Sequence, residues 1–226
     1  MRVVVNAAVS ADGKLSTHER EQIMISGPDD FDRVDERRAE SDAVMVGVGT
    51  VLADDPSLTV DDPVRTAVRE ADARALQPAR VVADSIARTP PDARVLDESA
   101  RTYVLVSESA PEERVTALEA EGAEIVVAGE ERVDLEEALS ELAADGIYHL
   151  LVEGGGELIF SLFEAGLVDE LSVFVGPMVI GGRGAPTLAD GEGFIEEFPA
   201  LSLAGAERID DGVLLRWLVE NADRDQ

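Results

Sequence analysis

Cysteine is absent from the 226-residue sequence, and histidine is nearly so. Without cysteine the chain has no disulfide, no thiolate nucleophile and no Cys-ligated zinc site. Because His18 and His149 are the only histidines, a site with several histidine ligands is also excluded, and we expect no metal. No apolar run approaches the ~20 residues that span a bilayer. The first apolar run is too short for a secretory signal peptide, so we expect a cytoplasmic protein with no membrane partner.

Basic residues are also scarce, since 19 Lys and Arg stand against 48 Asp and Glu, for a net formal charge of −29. A protein that binds DNA or RNA needs a basic face to displace counterions, so we expect no nucleic-acid partner. The hydrophobic content of 45% is too high for a disordered acidic chain. A folded protein with so acidic a surface is typical of a cytoplasm with molar salt, where a Debye length of about 3 Å screens the repulsion. The sequence therefore predicts a halophilic protein.

Lys14 is the only lysine, and the other eighteen basic residues are arginines. Because no other lysine is present, we expect that Lys14 has a chemical role in the function of the protein. The alternative is a single surface lysine without a function.

Apolar segments alternate with helical ones along most of the chain. The predicted strands are short and β-branched, as in buried parallel sheets, and cover 3–9, 43–48, 80–83, 103–106, 124–128, 147–152 and 171–175. Helices are predicted over 28–41, 111–121, 135–144 and from 158 to the glycine at 166. Two further strands, 201–209 and 213–219, form an antiparallel hairpin around Asp210-Asp211-Gly212.

This pattern predicts an α/β fold, in which helices flank a mainly parallel sheet with a C-terminal antiparallel hairpin. Because the connections are short, we expect a single domain over residues 1–226. The polar segment 61–77 is the one sizeable insertion, either a helical excursion or a lid.

Three predicted strand ends have unusual residues: 10–14, 47–56 and 153–157. Ligands of such sheets bind at the carboxyl ends of strands, and glycines there let backbone amides approach a phosphate. The triplet at 154–156 fits neither the Rossmann fingerprint nor a Walker loop. Each feature also has a structural explanation: tight packing for the glycines, a turn for Asp12-Gly13, and a helix end for Asp54-Asp55-Pro56. Glu153 is harder to explain in that way, because it directly follows an apolar run.

Seven segments form a recognisable set in order along the chain: Ser10-Ala11-Asp12-Gly13-Lys14, Ile25-Ser26-Gly27, Arg38-Ala39-Glu40-Ser41-Asp42-Ala43, Gly49-Thr50-Val51-Leu52-Ala53-Asp54-Asp55-Pro56-Ser57-Leu58-Thr59, Val152-Glu153-Gly154-Gly155-Gly156, Gly166-Leu167-Val168-Asp169-Glu170 and Gly181-Gly182-Arg183-Gly184-Ala185-Pro186-Thr187. With them the chain resembles the 2,5-diamino-6-ribosylamino-4(3H)-pyrimidinone 5′-phosphate reductases of riboflavin biosynthesis. The same domain is the C-terminal half of bacterial deaminase-reductases and has the dihydrofolate reductase fold. This chain has no zinc deaminase domain, and in that respect it resembles the free-standing archaeal type.

The resemblance implies that NADPH delivers a hydride to C1′ of the ring-opened ribose and gives the ribitylamino product. Lys14 matches a position that is usually basic in these reductases, and we expect Lys14 and Glu153 to be the catalytic residues. The resemblance implies cofactor contacts from Thr50, Asp54, Ser85, Gly155, Gly156, Glu157 and Leu158. It implies substrate contacts from Asp12, Ser26, Arg38, Leu58 and Glu153. Bacterial relatives have a phosphate-binding basic residue where this chain has Asp61, and Arg65 is the candidate to replace it.

Two other functions share parts of this pattern. A dihydrofolate-reductase-like enzyme for another pterin would have the same fold and cofactor but would lack the motif from Thr50 to Thr59. A non-catalytic nucleotide-binding module would keep the glycines and lose Lys14 and Glu153. The resemblance also implies a homodimer, whereas the sequence leaves NADH open as the cofactor, because no arginine pair for a 2′-phosphate is evident.

Overall fold

The chain forms nine strands and six α-helices in a computed structural model that describes residues 1–220; residues 221–226 of the predicted domain lie outside the described residues. The strands are β1 (Arg2–Ser10), β2 (Ala43–Gly47), β3 (Ala79–Ala83), β4 (Thr102–Val106), β5 (Glu124–Val127), β6 (His149–Gly154), β7 (Glu170–Gly176), β8 (Leu201–Ile209) and β9 (Gly212–Val219). The helices are α1 (Pro28–Glu40), α2 (Val48–Asp54), α3 (Pro63–Ala71), α4 (Glu112–Ala120), α5 (Leu135–Ala144) and α6 (Gly156–Glu164). No helix within the described residues is long and apolar enough to cross a membrane.

The strands form one sheet in the order β5-β4-β3-β2-β6-β1-β7-β9-β8. Strand β1 is parallel to β7, and β2, β3, β4 and β5 are parallel to their neighbours in that series. Strand β9 is antiparallel to both β7 and β8. The predicted α/β fold, with a mainly parallel sheet and a C-terminal hairpin, is therefore confirmed.

The chain divides into two compact units, and strand β6 contributes residues to both. Unit 1 comprises Met1 and Arg33–Leu151, and unit 2 comprises Arg2–Asp32 and Val152–Gln226. The expectation of a single domain over 1–226 stays a prediction.

Strands β2, β3 and β4 of unit 1 are almost wholly buried. They are mostly apolar, and Val44, Met45 and Leu105 have no exposed surface. A strand that is covered on both faces has no polar face, which is why these segments show no alternation in the sequence. The buried Arg80 on β3 donates to the backbone carbonyls of Arg94, Asp97 and Ala100, and this fixes the loop that precedes β4.

The insertion at 61–77 is a helical excursion. Helix α3 begins after Asp62, whose carboxylate accepts a hydrogen bond from the Val64 amide, and Pro63 occupies the first turn. Buried Arg69 donates to the carbonyls of Ala39 and Ser41 at 2.7 Å each, and Arg74 binds the same helix end. The two arginines therefore satisfy the last carbonyls of α1 and oppose the negative end of its dipole.

The sheet of unit 2 packs Phe174 of β7 and Leu214 of β9 against Ile25. The turn between β8 and β9 serves the start of α1, because the Asp210 carboxylate accepts hydrogen bonds from the amides of Asp29 and Asp30. Gly27 makes room for this cap, since a Cβ there would lie 2.5 Å from Asp210 Cγ.

Candidate active site

Lys14 lies in a tight turn after β1, in unit 2. The Ser10 amide donates to the Lys14 carbonyl, and the Lys14 amide donates to Ser10 Oγ, both at 2.9 Å. Gly13 closes this turn with a φ of +78°, a conformation that favours glycine. The Lys14 side chain is half-buried and makes no ion pair within residues 1–220. The backbone of Lys14 is therefore held firmly, while its ammonium group keeps its hydrogen-bonding capacity.

Asp12 has a structural role that the sequence did not predict. Its carboxylate accepts hydrogen bonds from Ser10 Oγ at 2.7 Å, from the Ile180 amide at 2.9 Å and from the Gly181 amide at 2.8 Å. These bonds favour the charged form and lower the pKa of Asp12 to about 2, the Ser10 hydroxyl contributing most. Asp12 thereby ties the turn after β1 to the loop after β7. A direct contact with substrate stays a prediction.

Glu153 lies within β6 rather than after it, because the strand extends to Gly154. The three preceding residues, 150–152, are buried, whereas Glu153 is half-buried. Gly154 has a φ of +128°, which only glycine adopts readily, and it ends the strand. The carboxylate is therefore placed at the carboxyl end of a central strand, in the position where α/β sheets bind ligands.

Helix α6 begins immediately after that strand, with Gly155 as its N-cap. Within the described residues, the amides of its first turn donate to no side chain. Gly156 is buried, and a Cβ there would lie 2.3 Å from the Thr187 carbonyl oxygen. The close approach that requires this glycine is thus made by the protein's own backbone. Glu157 is exposed and Leu158 is buried.

Ser26 is half-buried in unit 2, between the buried Ile25 and Gly27. Because Asp210 caps α1, the Ser26 side chain is not used as its cap. The predicted contact of Ser26 with substrate stays a prediction.

Thr50 and Asp54 lie on α2, a helix of unit 1 that was not predicted from the sequence. It follows β2 directly, and Asp55 ends it with a φ of +41°. The Asp55 carboxylate accepts a hydrogen bond from the Arg94 amide, and this bond fixes in part the turn after α2. Asp54 is half-buried, and burial raises the pKa of its carboxyl group.

Arg38 and Leu58 are brought together in unit 1. Arg38 Nη1 donates to the Thr59 carbonyl at 2.9 Å, and the Gln77 side chain makes hydrogen bonds with both the amide and the carbonyl of Val60. Leu58 has a φ of +55° and is 1% exposed, so its side chain packs inside the protein. Any contact of Leu58 with substrate would therefore come from its backbone.

Ser85 follows β3 in unit 1. Its carbonyl accepts hydrogen bonds from the Ser107 amide and hydroxyl at the end of β4, and its Oγ accepts one from the Val133 amide. The buried Asp84 accepts hydrogen bonds from the Thr89 amide and hydroxyl, which fixes the loop after Ser85. Among the described residues, Ser85 makes no hydrogen bond with α2.

Arg65, the candidate for the substrate phosphate, is already paired. Its Nη1 lies 2.8 Å from Asp35 Oδ2, and the same carboxylate accepts a hydrogen bond from the Asp61 amide. This pairing gives Arg65 a structural role in holding α3, and a phosphate would have to compete with Asp35. No group of acidic and histidine residues that could hold a metal is found within residues 1–220.

Asp190 is a residue of unit 2 that the sequence did not single out. Its carboxylate accepts hydrogen bonds from the amide and hydroxyl of Thr187, and its amide donates to the Gly156 carbonyl at 3.0 Å. An aspartate that precedes a glycine in a glycine-rich loop indicates a local turn of this kind. Nothing in the sequence indicates that Asp190 also binds Gly156 of α6.

The family model of the RibD C-terminal domain matches residues 1–215. The chain belongs to the RibD C-terminal domain family. It is 49% identical over 210 residues to an Archaeoglobus fulgidus protein named 2,5-diamino-6-ribosylamino-4(3H)-pyrimidinone 5′-phosphate reductase, covering 93% of this chain and 94% of the relative. A Methanothermobacter thermautotrophicus protein of the same name is 50% identical over 201 residues, 89% of each chain.

Solved structures place this RibD C-terminal domain in a wider fold group. A pyrimidine reductase-like protein from Corynebacterium diphtheriae has a TM-score of 0.83 at 19% identity, over 97% of this chain and 92% of that one. Dihydrofolate reductase from Enterococcus faecalis has a TM-score of 0.50 at 14% identity, over 97% and 96% of the two chains. The dihydrofolate-reductase-like fold that the resemblance implied is therefore confirmed.

Proposed function

We propose that the protein is the reductase that converts the ribosyl group of 2,5-diamino-6-ribosylamino-4(3H)-pyrimidinone 5′-phosphate to a ribityl group with NADPH. The 49% identity to the Archaeoglobus fulgidus reductase, along nearly the whole of both chains, is the main support. The same reaction is supported by the presence of Lys14, Glu153 and the complete motif from Thr50 to Thr59.

The start of α6 suits a dinucleotide cofactor. The first-turn amides of a helix attract anions such as a pyrophosphate, and no side chain of the described residues occupies them here. When bound, NADPH supplies the hydride that reduces C1′. Following the family resemblance, we assign cofactor contacts to Thr50, Asp54, Ser85 and the segment 155–158. NADPH is preferred to NADH on that resemblance alone.

The catalytic groups in this proposal are Glu153 and Lys14. Reduction at C1′ requires the electron-poor, ring-opened imine, so a fixed carboxylate favours the reaction by stabilising positive charge near C1′. Glu153 can also assist ring opening by accepting the N–H proton as the C1′=N bond forms and passing it to the ring oxygen as the bond from that oxygen to C1′ breaks. The Lys14 ammonium group donates hydrogen bonds to the sugar oxygens and holds them in place. Substrate contacts from Asp12, Ser26, Arg38 and the Leu58 backbone complete the assignment.

The deciding experiment mixes the protein with the ribosylaminopyrimidine phosphate and NADPH in molar KCl and follows the loss of absorbance of the reduced cofactor. We expect loss that depends on both substrate and protein, with the ribitylamino compound as the product. A parallel reaction with dihydrofolate tests the alternative pterin substrate. NADPH consumption with dihydrofolate alone would overturn the proposal.

We also propose that the protein works in a cytoplasm with molar salt. The net charge of −29 is distributed over a folded chain, so unscreened repulsion favours the unfolded state at low ionic strength. We expect the melting temperature, followed by circular dichroism, to rise steadily from low salt to molar KCl. A melting temperature that stays flat or falls over this series would contradict the halophilic assignment.

We propose that two copies associate through the β8–β9 face, the sheet surface formed by Leu201, Leu203, Ala206, Val213, Leu215, Trp217 and Val219, with Arg208 opposite Val213 at its end. The strand registers place these residues side by side on one face, and Leu203 is 62% exposed. This face contains no acidic residue, although the chain has 48. Two copies with this net charge repel each other wherever acids meet, so an acid-free apolar face is the surface best suited to self-association. Strand β8 is also an uncovered edge.

Leu203→Glu tests the dimer, because it puts a charge into the centre of this face. We expect light scattering in molar KCl to give twice 24.1 kDa for the parent and the monomer mass for the variant. Val68→Glu, at a similarly exposed position on α3, is the matched control and should leave the dimer intact. A monomeric parent, or a dimeric Leu203→Glu variant, would rule out this interface.

A further inference from the structure

A short segment of unit 2, residues 186–190, connects two of the elements to which the proposed function assigns chemistry. We call this segment the strap. On one side it pairs with the turn after β1, because the Leu15 amide donates to the Pro186 carbonyl at 2.9 Å and Lys14 forms an antiparallel bridge with Thr187. The strap is therefore paired, on this side, with the backbone of Lys14 and Leu15.

On its other side the strap lies against the first turn of α6. The Asp190 amide donates to the Gly156 carbonyl at 3.0 Å, and the Thr187 carbonyl lies so near Gly156 that no larger residue fits there. Asp190 also holds the strap in shape, because its carboxylate accepts hydrogen bonds from the amide and the hydroxyl of Thr187. Asp190 is thus the residue that joins the bridge at Thr187 to the start of α6.

Both flanks of the strap are anchored as well. Before it, the amides of Ile180 and Gly181 are bound by the Asp12 carboxylate. After it, Gly191 allows close contact with the Phe160 ring of α6, where a Cβ would lie 2.0 Å from Cδ1, and the Phe160 and Phe194 rings are 5.2 Å apart. The strap is therefore a bridge of defined geometry rather than a loose loop.

We infer that Asp190 is a positioning residue, which fixes the backbone of Lys14 relative to the first turn of α6 through the strap. This inference rests on the proposed function, in which Lys14 acts on the substrate and α6 binds the cofactor. Its physical basis is that the chemical step needs the two reactants at a defined separation, and a displacement of about 1 Å can cost about 10²-fold in rate. Asp190 need not touch substrate or cofactor to have this effect.

A double-mutant cycle with Asp190→Ala and Lys14→Met separates positioning from general stability. If Asp190 acts through Lys14, Asp190→Ala lowers kcat by on the order of tenfold in the parent, as expected for a misplaced group. In the Lys14→Met background, Asp190→Ala then changes kcat little. The separate variant Asp190→Asn keeps an acceptor for the Thr187 amide and should retain most of the parent kcat. Asp211→Ala, at an exposed position in the β8–β9 turn, is the matched control and should leave kcat unchanged.

Hydrogen exchange gives a readout that does not depend on activity. In Asp190→Ala we expect the Leu15 amide, which is bound to Pro186, to lose protection, while the Ile180 and Gly181 amides, which are bound to Asp12, keep theirs. Equal losses of kcat in both backgrounds, or unchanged protection of Leu15, would overturn the inference. A parent that consumes no NADPH with the pyrimidine substrate would instead overturn the proposed function, and this is measured before the cycle begins.

Discussion

Glu153→Gln should lower turnover by about 10²–10⁴-fold, the range for a charge-stabilising or proton-transfer group. The reason is that both proposed roles of Glu153 depend on an ionisable oxygen, which glutamine lacks, whereas the two side chains have nearly the same shape. Because the backbone of β6 is unchanged, the variant should fold, and it should bind NADPH within a fewfold of the parent. Turnover is measured from NADPH absorbance in molar KCl, and cofactor binding from nicotinamide fluorescence.

Glu164→Gln is the matched control for this substitution. Glu164 is exposed at the far end of α6 and has no part in the proposed chemistry, so the same chemical change there should be silent. If Glu153→Gln also retains turnover and loses only a little stability, then Glu153 has a structural role at the start of α6. The catalytic assignment would then be wrong.

Lys14→Met should lower turnover by about 10²-fold or more, the scale of one positioned catalytic group. Methionine keeps most of the apolar stem and removes the ammonium group. The hydrogen bonds that Lys14 itself makes in this turn come from its backbone, so they survive the substitution. We therefore expect an unchanged melting temperature together with the loss of turnover, both measured in molar KCl.

Lys14→Arg separates charge from geometry at the same position. The guanidinium group keeps the positive charge but spreads it over a larger planar group, so we expect turnover between that of the parent and that of Lys14→Met. Turnover near that of the parent in Lys14→Met would leave the single lysine as a surface residue without a function.

The regular elements were predictable where local chemistry decides them. Strands β2, β3 and β4 are apolar runs between turn residues, and α5 begins and ends at the predicted residues 135 and 144. The hairpin of β8 and β9 follows from Asp210-Asp211-Gly212, whose turn chemistry joins two largely apolar segments. Helix α2 was missed, because only seven residues follow β2 before Asp55 and Pro56 end the helix, too few for a periodic signal.

The caps and clamps were not predictable, because their partners are distant in the sequence. Asp210 caps a helix that begins more than 180 residues earlier, and no local pattern links the two segments. Arginines are usually expected at the surface, yet Arg69 and Arg74 bind the carbonyls at the end of α1. Each of these contacts depends on which segments the packed sheet brings together.

For this chain, the sequence by itself determined the α/β fold, the family, and the segments that contain the candidate residues, because periodicity, turn residues and motifs are local properties. The tertiary structure decided what each of those residues contacts. The Asp12 carboxylate binds the loop after β7, the Leu58 side chain packs in the core, and the Thr187 carbonyl fills the space beside Gly156. The physical reason is that a buried polar group must find its hydrogen-bond partner wherever packing places one, and packing is a property of the whole chain.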